Sequence, residues 1–123
     1  TTKAWVVHSE DGLDELSIAA PTRVAEVEGK SVRMSRVDPP ALGFHHSSIE
    51  GIRVSSVQES VAVMKGVLDG MPVSALDVSV LNAGAVLMVA GRATTTTTSL
   101  PATAPARRSS PTAPVALRRR GSI

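Results

Sequence analysis

The sequence predicts an α/β fold in which short strands and a hairpin are followed by two helices. Three observations favour this fold: apolar runs of strand length near the N-terminus, a Gly-containing turn between two of them, and longer helical patterns in the second half. The 123 residues suffice for one small domain with a modest core.

The strands are predicted in the N-terminal third. The apolar run at residues 4–7 predicts a short buried strand, and residues 9–20 are expected to form a loop after it. Residues 23–27 and 31–37 predict a hairpin around the turn Glu28-Gly29. The Asp-Pro-Pro sequence that follows is a stop signal for the last strand.

The first helix is predicted over residues 56–70. Ser56 and Glu59 form a capping-box pattern at its start, and Gly70 supplies a stop at its end. Apolar residues recur at spacings of three and four, which predicts one apolar stripe along the helix: Val57, Val61, Met64 and Leu68.

The second helix is predicted over residues 74–91. Ser74 and Asp77 stand three apart at its start, where an acidic side chain also suits the helix dipole. The body, residues 78–90, is apolar almost all round, so we expect this helix to be buried.

Charge divides the chain into two parts. Residues 1–91 carry 7 Lys/Arg and 11 Asp/Glu, a net charge of −4, whereas residues 92–123 carry 6 Arg and no acid, a net charge of +6. The second part is rich in Thr, Pro and Arg and has no hydrophobic period. We therefore expect an α/β domain at 1–91 and a disordered basic tail at 92–123.

Several classes of function are disfavoured by composition. The chain has no cysteine, which excludes a disulfide framework, thiolate zinc sites and a Cys nucleophile. No apolar run reaches membrane-spanning length and no signal peptide is evident, so a cytoplasmic protein without membrane contact is expected. The basic tail lacks aromatic residues for base stacking, so specific nucleic-acid binding is not expected, although anionic surfaces could attract it.

The segment HSEDGLDELS, from His8 to Ser17, points most directly to a function. It places four carboxylates within six residues and has no Lys or Arg among them: Glu10, Asp11, Asp14 and Glu15. Like charges this close repel one another at neutral pH, so a bound cation or a cationic partner would make the arrangement favourable. Oxygen ligands suit a hard divalent ion such as magnesium.

Four segments in order resemble the C-terminal part of anthranilate phosphoribosyltransferase. They are AWVVHSEDGLDELS, APTRVAEVEGKSV, VDPPALGF and VSVLNAGAVLMVAG, which together run from Trp5 to about Gly91. The resemblance implies the C-terminal part of the nucleoside phosphorylase/phosphoribosyltransferase catalytic domain. In that family, a phosphoribosyl group moves from phosphoribosyl pyrophosphate to anthranilate in tryptophan biosynthesis, and the Asp-Glu pair of the motif binds Mg²⁺ at the diphosphate. That pair corresponds to Asp14 and Glu15.

The resemblance covers only part of the family's length. The family's Gly-rich GTGGD loop, its KHG segment and the N-terminal helical domain that carries its dimer interface have no counterpart here, and no catalytic or organic-cofactor residue is assigned. We therefore expect the chain alone to be inactive. Within the match, Ser9 replaces a family Gly, Gly84 interrupts an alanine run, and the tail after Gly91 differs from the amphipathic helix of the family.

Two alternatives remain open from the sequence. A pyrimidine nucleoside phosphorylase would share the fold, although the DGLDE context favours the anthranilate enzyme. A fragment without catalytic function, with an anion-binding tail, belongs to a different class of protein.

Overall fold

The computed structural model of the protein describes residues 2–93. One antiparallel sheet is followed by two 3-10 helices, Pro39–Leu42 and Glu50–Ile52, and by two α-helices. The strands are β1 (Lys3–Ser9), β2 (Thr22–Glu28) and β3 (Ser31–Val37), and the helices are α1 (Val57–Leu68) and α2 (Ser74–Val89). The predicted α/β class, with strands first and two helices after, is confirmed.

The sheet is a meander with strand order β1-β2-β3. Glu28 pairs with Ser31, so two residues, Gly29 and Lys30, connect β2 to β3. Gly29 has a φ of 58°, a conformation that side chains with a Cβ rarely adopt. The predicted hairpin is confirmed, and the tight turn fixes which side chains share each face of the sheet.

The core lies between one face of the sheet, the loop after β1, and α2. Its buried members come from all three parts: Leu16 and Ile18 from the loop, Val24 from β2, and Val78 and Leu81 from α2. Trp5 and Val7 of β1 pack against this cluster. Since the loop supplies two of the core residues, its position depends on the packing of the whole unit.

Burial of β1 differs from the sequence prediction. Only one of its faces contacts the core, and Val6 on the other face is 65% exposed. Val6 shares that open face with Met34, because both pair with Ala25 at the same level of the sheet. Met34 is 67% exposed. The expectation of a fully buried strand is thus wrong: side chains alternate along a strand, and the described residues cover only one face.

The predicted start and end of α1 are confirmed. The Ser56 hydroxyl accepts the Glu59 N–H at 3.1 Å, and Gly70 after the helix has a φ of 67°. The Glu59 carboxylate accepts the N–H of Ser55, at 2.7 Å, rather than that of Ser56. The apolar stripe faces solvent, with exposures of 75% for Val57, 62% for Met64 and 81% for Leu68.

The second helix is also confirmed, and it begins at Ser74 as predicted. Val73 occupies the N-cap position, and no side chain caps the helix. The expectation that α2 is buried all round is wrong: one face is buried, whereas Val86 and Leu87 are 66% and 41% exposed. Helix α1, the second 3-10 helix and β1 contact α2, and nothing among residues 2–93 covers Val86 and Leu87 fully.

The tail prediction falls almost entirely outside the described residues, which end at Ala93. Within residues 2–93, no helix is long and apolar enough to cross a membrane.

Candidate metal-binding loop

The acidic segment forms a closed loop between β1 and β2. At its entrance the Ser9 N–H donates to the Leu13 carbonyl at 3.0 Å, and the Gly12 N–H donates back to the Ser9 carbonyl at 3.0 Å. At its exit the Glu10 N–H donates to the Pro21 carbonyl at 2.9 Å. These bonds hold the two ends of the loop together.

Ser9, where the family has glycine, fits this backbone without strain. It is fully buried, and among residues 2–93 every positive φ belongs to a glycine, so the position needs no glycine conformation. Its hydroxyl donates weakly to the Pro21 carbonyl, at 3.4 Å. The replacement therefore leaves the closure of the loop intact.

Asp11 is a structural carboxylate of the loop. It accepts a hydrogen bond from the Ser17 hydroxyl at 2.5 Å, and the Ser17 oxygen in turn accepts the N–H of Ala19 at 3.0 Å. Burial raises the pKa of Asp11, but the hydrogen bonds from Ser17, Ser9 and the Leu13 backbone outweigh it, so that this pKa lies below its ordinary value. Asp11 is thus committed to holding the loop.

Glu10 also has a protein partner. Its carboxylate lies 3.5 Å from the guanidinium of Arg36 on β3, in an exposed ion pair. Glu10 and Asp11 are thus both bonded to other residues of the protein.

Asp14 and Glu15 lie side by side at the far end of the loop and are arranged differently. Asp14 is exposed and Glu15 is half-buried. Among residues 2–93, neither carboxylate has an ion-pair partner. Burial, and then the negative charge of Asp14, raise the pKa of Glu15 above its ordinary value. The structure thus separates the four acids into two with protein partners and two adjacent ones without a cation.

This pair fits magnesium by the chemistry of its donors. Mg²⁺ prefers oxygen ligands and is usually held by one or two carboxylates, keeping waters and substrate phosphates as its other ligands. Within residues 2–93, no group of three or more His, Cys, Asp or Glu residues could enclose a metal. The loop can therefore supply two ligands of an open magnesium site, and the chemistry of the pair requires no further protein ligand.

Asn82 on α2 connects the loop to the helix. Its side-chain oxygen accepts the Leu16 N–H at 2.9 Å, and its side-chain nitrogen donates to the Leu16 carbonyl at 3.0 Å. Sequence reasoning missed both Asn82 and the hydrogen bond from the Ser17 hydroxyl to Asp11, which we call the Ser17 latch. The available signal for Asn82 was a lone amide within an otherwise apolar helix, which requires buried hydrogen-bond partners.

His46, the second of two adjacent histidines, contacts α2. The His46 ring nitrogen lies 2.7 Å from a carboxylate oxygen of Asp77, in the first turn of α2. His45 is exposed. This pair fastens the segment before α1 to the start of α2.

An apolar groove of about 480 Å³ runs between β1 and α2. Lys3, Trp5, Leu16 and Val86 are among its lining residues. The indole N–H of Trp5 is buried and has no hydrogen-bond partner within residues 2–93. β1 is also an edge strand of the described sheet, so this side of the unit presents both apolar surface and unpaired backbone groups.

Comparison with known proteins identifies the family of this unit. The family model described as "Glycosyl transferase family, a/b domain" matches residues 1–107. The chain is 49% identical over 85 residues to the anthranilate phosphoribosyltransferase of Thioalkalivibrio sulfidiphilus, a match that covers 69% of this chain and 25% of that protein. The anthranilate phosphoribosyltransferase of Rhodopseudomonas palustris is 40% identical over 89 residues, covering 72% of this chain and 26% of that protein.

The fold comparison agrees. The crystal structure of anthranilate phosphoribosyltransferase from Thermus thermophilus matches with a TM-score of 0.68 and 28% identity, over 80% of this chain and 29% of that chain. The chain spans about a quarter of the length of the curated relatives. By the extent of these matches, the chain belongs to the glycosyl transferase family through its a/b domain.

Proposed function

We propose that this chain supplies the magnesium-binding loop of an anthranilate phosphoribosyltransferase, the enzyme that transfers a phosphoribosyl group from phosphoribosyl pyrophosphate to anthranilate in tryptophan biosynthesis. The observation that carries the proposal is the Asp14–Glu15 pair, which has no ion-pair partner among residues 2–93, on a loop whose other acids are already bonded. The names of the curated relatives support the same reaction.

The role of the pair is electrostatic. Asp14 and Glu15 would hold a Mg²⁺ ion, which would supply positive charge to offset the negative charge that develops on the departing pyrophosphate. The two carboxylates would position the cation. The closed loop holds the carboxylates in place before substrate binds, so that little reorganisation is needed during the reaction.

The exposed apolar surfaces indicate that the loop works within a larger protein. The stripe of α1, the open face of the sheet and the groove beside β1 together expose many large apolar side chains, among them Val6, Met34, Met64, Leu68 and Val86. Large apolar side chains exposed on several faces suit contacts with other protein surfaces. The relatives are about four times as long as the matched segment, and the remainder of such an enzyme is the partner that we propose for these surfaces. A cytoplasmic location accompanies this proposal.

A chimera tests the proposed function. Residues 2–93 replace the matching segment of the Thioalkalivibrio sulfidiphilus enzyme, and activity is followed by the loss of anthranilate fluorescence with phosphoribosyl pyrophosphate and Mg²⁺. We expect turnover by the chimera and none by the 123-residue chain alone, because a quarter of the enzyme cannot position both substrates. Turnover by the chain alone would contradict this expectation.

Substitution in the chimera then tests the ligands. Asp14→Ala with Glu15→Ala should lower kcat/KM about 100-fold or more at limiting Mg²⁺, as expected for the loss of a charge-stabilising group. The matched control is Glu28→Ala with Asp69→Ala, which removes the same charge from two exposed positions outside the loop. Equal activity of the two double variants would show that the ligand assignment is wrong.

The pyrimidine nucleoside phosphorylase alternative gains no support from the relatives described above, whose names specify anthranilate phosphoribosyltransferase. The anion-binding alternative depends on the tail, which lies outside the described residues.

A further inference from the structure

Asn82 is the residue through which α2 forms hydrogen bonds to the acidic loop. Its side-chain amide makes three hydrogen bonds: the oxygen accepts the Leu16 N–H, and the nitrogen donates to the carbonyls of Leu16 and Val78. The distances are 2.9, 3.0 and 3.0 Å. The two bonds pair the N–H and the carbonyl of Leu16 with one amide group, as a residue on a neighbouring antiparallel strand would.

The contact reaches the residue next to the proposed ligands. Leu16 directly follows Glu15, and its side chain is 1% exposed within the core. The backbone of Leu16 is therefore fixed by Asn82 while its side chain is fixed by packing. Val78 and Leu81, which flank Asn82 on α2, belong to the same core, so the helix that carries the amide is itself anchored.

An asparagine in the middle of a helix carries an intrinsic cost. Asn is a weaker helix former than the Ala, Leu and Val residues around it, because its side chain competes for backbone hydrogen bonds. Here the side chain does bond to its own helix, through the Val78 carbonyl, but its other two bonds cross to the loop. Helix formation alone thus gives no reason for an amide at this position.

We propose that Asn82 is a positioning residue for the Asp14–Glu15 pair: it orients the two carboxylates for a divalent cation by clamping the backbone of Leu16 to α2. This inference rests on the proposed function of the pair. It assigns Asn82 no contact with substrate, and it predicts that losing the clamp weakens metal binding while the fold persists. Outer partners of metal ligands commonly act in this way.

The test uses the full 123-residue chain and Mn²⁺ alone, a carboxylate-binding paramagnetic probe for magnesium sites. Line broadening by Mn²⁺ is recorded for the amide signals of residues 13–16 in nuclear magnetic resonance spectra. We expect localised broadening in the unsubstituted chain, and about tenfold less broadening per added Mn²⁺ in Asn82→Ala. The control is Ser79→Ala on the same helix, whose hydroxyl donates to the Ala75 carbonyl and makes no hydrogen bond to the loop among residues 2–93.

Hydrogen exchange of the Leu16 amide provides a second readout. It should accelerate in Asn82→Ala and stay slow in Ser79→Ala, because only the first loses the acceptor for that N–H. If exchange accelerates while Mn²⁺ broadening stays unchanged, Asn82 is merely structural and the inference is overturned.

Asn82→Asp distinguishes positioning from charge and serves as the test if Asn82→Ala does not fold. It keeps an oxygen for the Leu16 N–H, loses the donor for the Leu16 carbonyl, and adds a negative charge near the loop. Reduced broadening despite the added charge supports positioning, whereas enhanced broadening overturns it. Absence of localised broadening in the unsubstituted chain would overturn the metal role of Asp14 and Glu15 themselves, a result distinct from either outcome for Asn82.

Discussion

The acidic loop and helix α1 differ in what stabilises them: tertiary contacts stabilise the loop, whereas regular secondary structure with a capped start characterises α1. The loop contains almost no regular structure, yet Leu16 and Ile18 are buried in the core and its backbone is closed by hydrogen bonds from within the loop and from Asn82. Helix α1 has regular structure and a well-formed cap, yet its apolar stripe is exposed. Regular secondary structure and tertiary fixation are therefore separate properties in this molecule, and the candidate site lies on the part that is fixed.

The difference also explains which region can carry chemistry. Two carboxylates must be held at defined positions to bind a metal. The loop is held by its buried side chains Leu16 and Ile18 and by hydrogen bonds from Asn82 and within the loop. The exposed stripe of α1 has no such anchors among residues 2–93, and its apolar side chains instead suit a contact with another protein surface.

The largest expected effect compares two leucines. Leu16→Ala in the full chain should lower the free energy of unfolding by about 2–5 kcal/mol, because it opens a cavity in the core. Leu68→Ala makes the same chemical change at a position that is 81% exposed, and should cost less than about 0.5 kcal/mol. Equilibrium unfolding in urea measures both. Equal losses of unfolding free energy would mean that Leu68 on α1 is packed as tightly as Leu16 in the loop, and would contradict the difference between the two regions.

The same two substitutions in the chimera test whether the remainder of the enzyme covers α1. If the remainder of the enzyme covers the stripe of α1, the cost of Leu68→Ala should rise well above its value in the free chain, whereas that of Leu16→Ala should change little. An unchanged cost of Leu68→Ala would show that the stripe stays exposed in the complete enzyme.

A smaller effect is expected at the helix caps. Ser56→Ala should destabilise the chain by about 1 kcal/mol, since its hydroxyl accepts the Glu59 N–H at the start of α1. Ser74→Ala should have an effect below about 0.5 kcal/mol, because Ser74 lies inside α2 and does not cap it. Thermal unfolding of the two variants ranks the sites, and a larger loss for Ser74→Ala would contradict the capping assignment.

The smallest expected effects depend on pH and have opposite signs within the loop. The folded-state pKa of Asp11 is lowered from 3.8, so its contribution to stability is complete above that pH and is lost as pH falls through the lower folded value. The pKa of Glu15 is raised from 4.5, so its contribution is present below that pH and is lost as pH rises through the higher folded value.

Two substitutions test these signs. Ser17→Ala should raise the pKa of Asp11 and reduce stability at neutral pH, and the stability difference from the unsubstituted chain should shrink as Asp11 becomes protonated. Glu15→Gln should slightly stabilise the chain at neutral pH, because it removes a half-buried charge beside Asp14. Carboxyl carbon resonances follow both pKa values, and a downward shift of Asp11 in Ser17→Ala would contradict the latch.

Much of the local structure could be predicted from the sequence because its signals are local. The turn at Gly29, the cap at Ser56 and the stop at Gly70 each depend on the conformational preferences of a few neighbouring residues. The acidic segment was likewise recognisable from four carboxylates in one short stretch. The family, too, is evident from motifs in the sequence.

Burial was beyond the reach of the same patterns. The periodicity of α1 predicts an apolar stripe, but not whether anything covers it, and the apolar body of α2 does not reveal that only one of its faces meets the core. The sequence suggested different roles for the four acids, but their division into bonded and unpaired ones depends on partners that are distant in sequence, such as Arg36 on β3.

The strands, the helices and the acidic segment could thus be predicted from the sequence, since these follow from backbone preference and charge within a few residues. The positions of the acids and of the groups that hold them depend on packing between distant parts of the chain. Asn82 meets Leu16 across 66 residues of chain, and that contact exists because Val78 and Leu81 bring α2 against the loop in a shared core. Contacts of this kind depend on how the chain packs as a whole, and no local pattern encodes them.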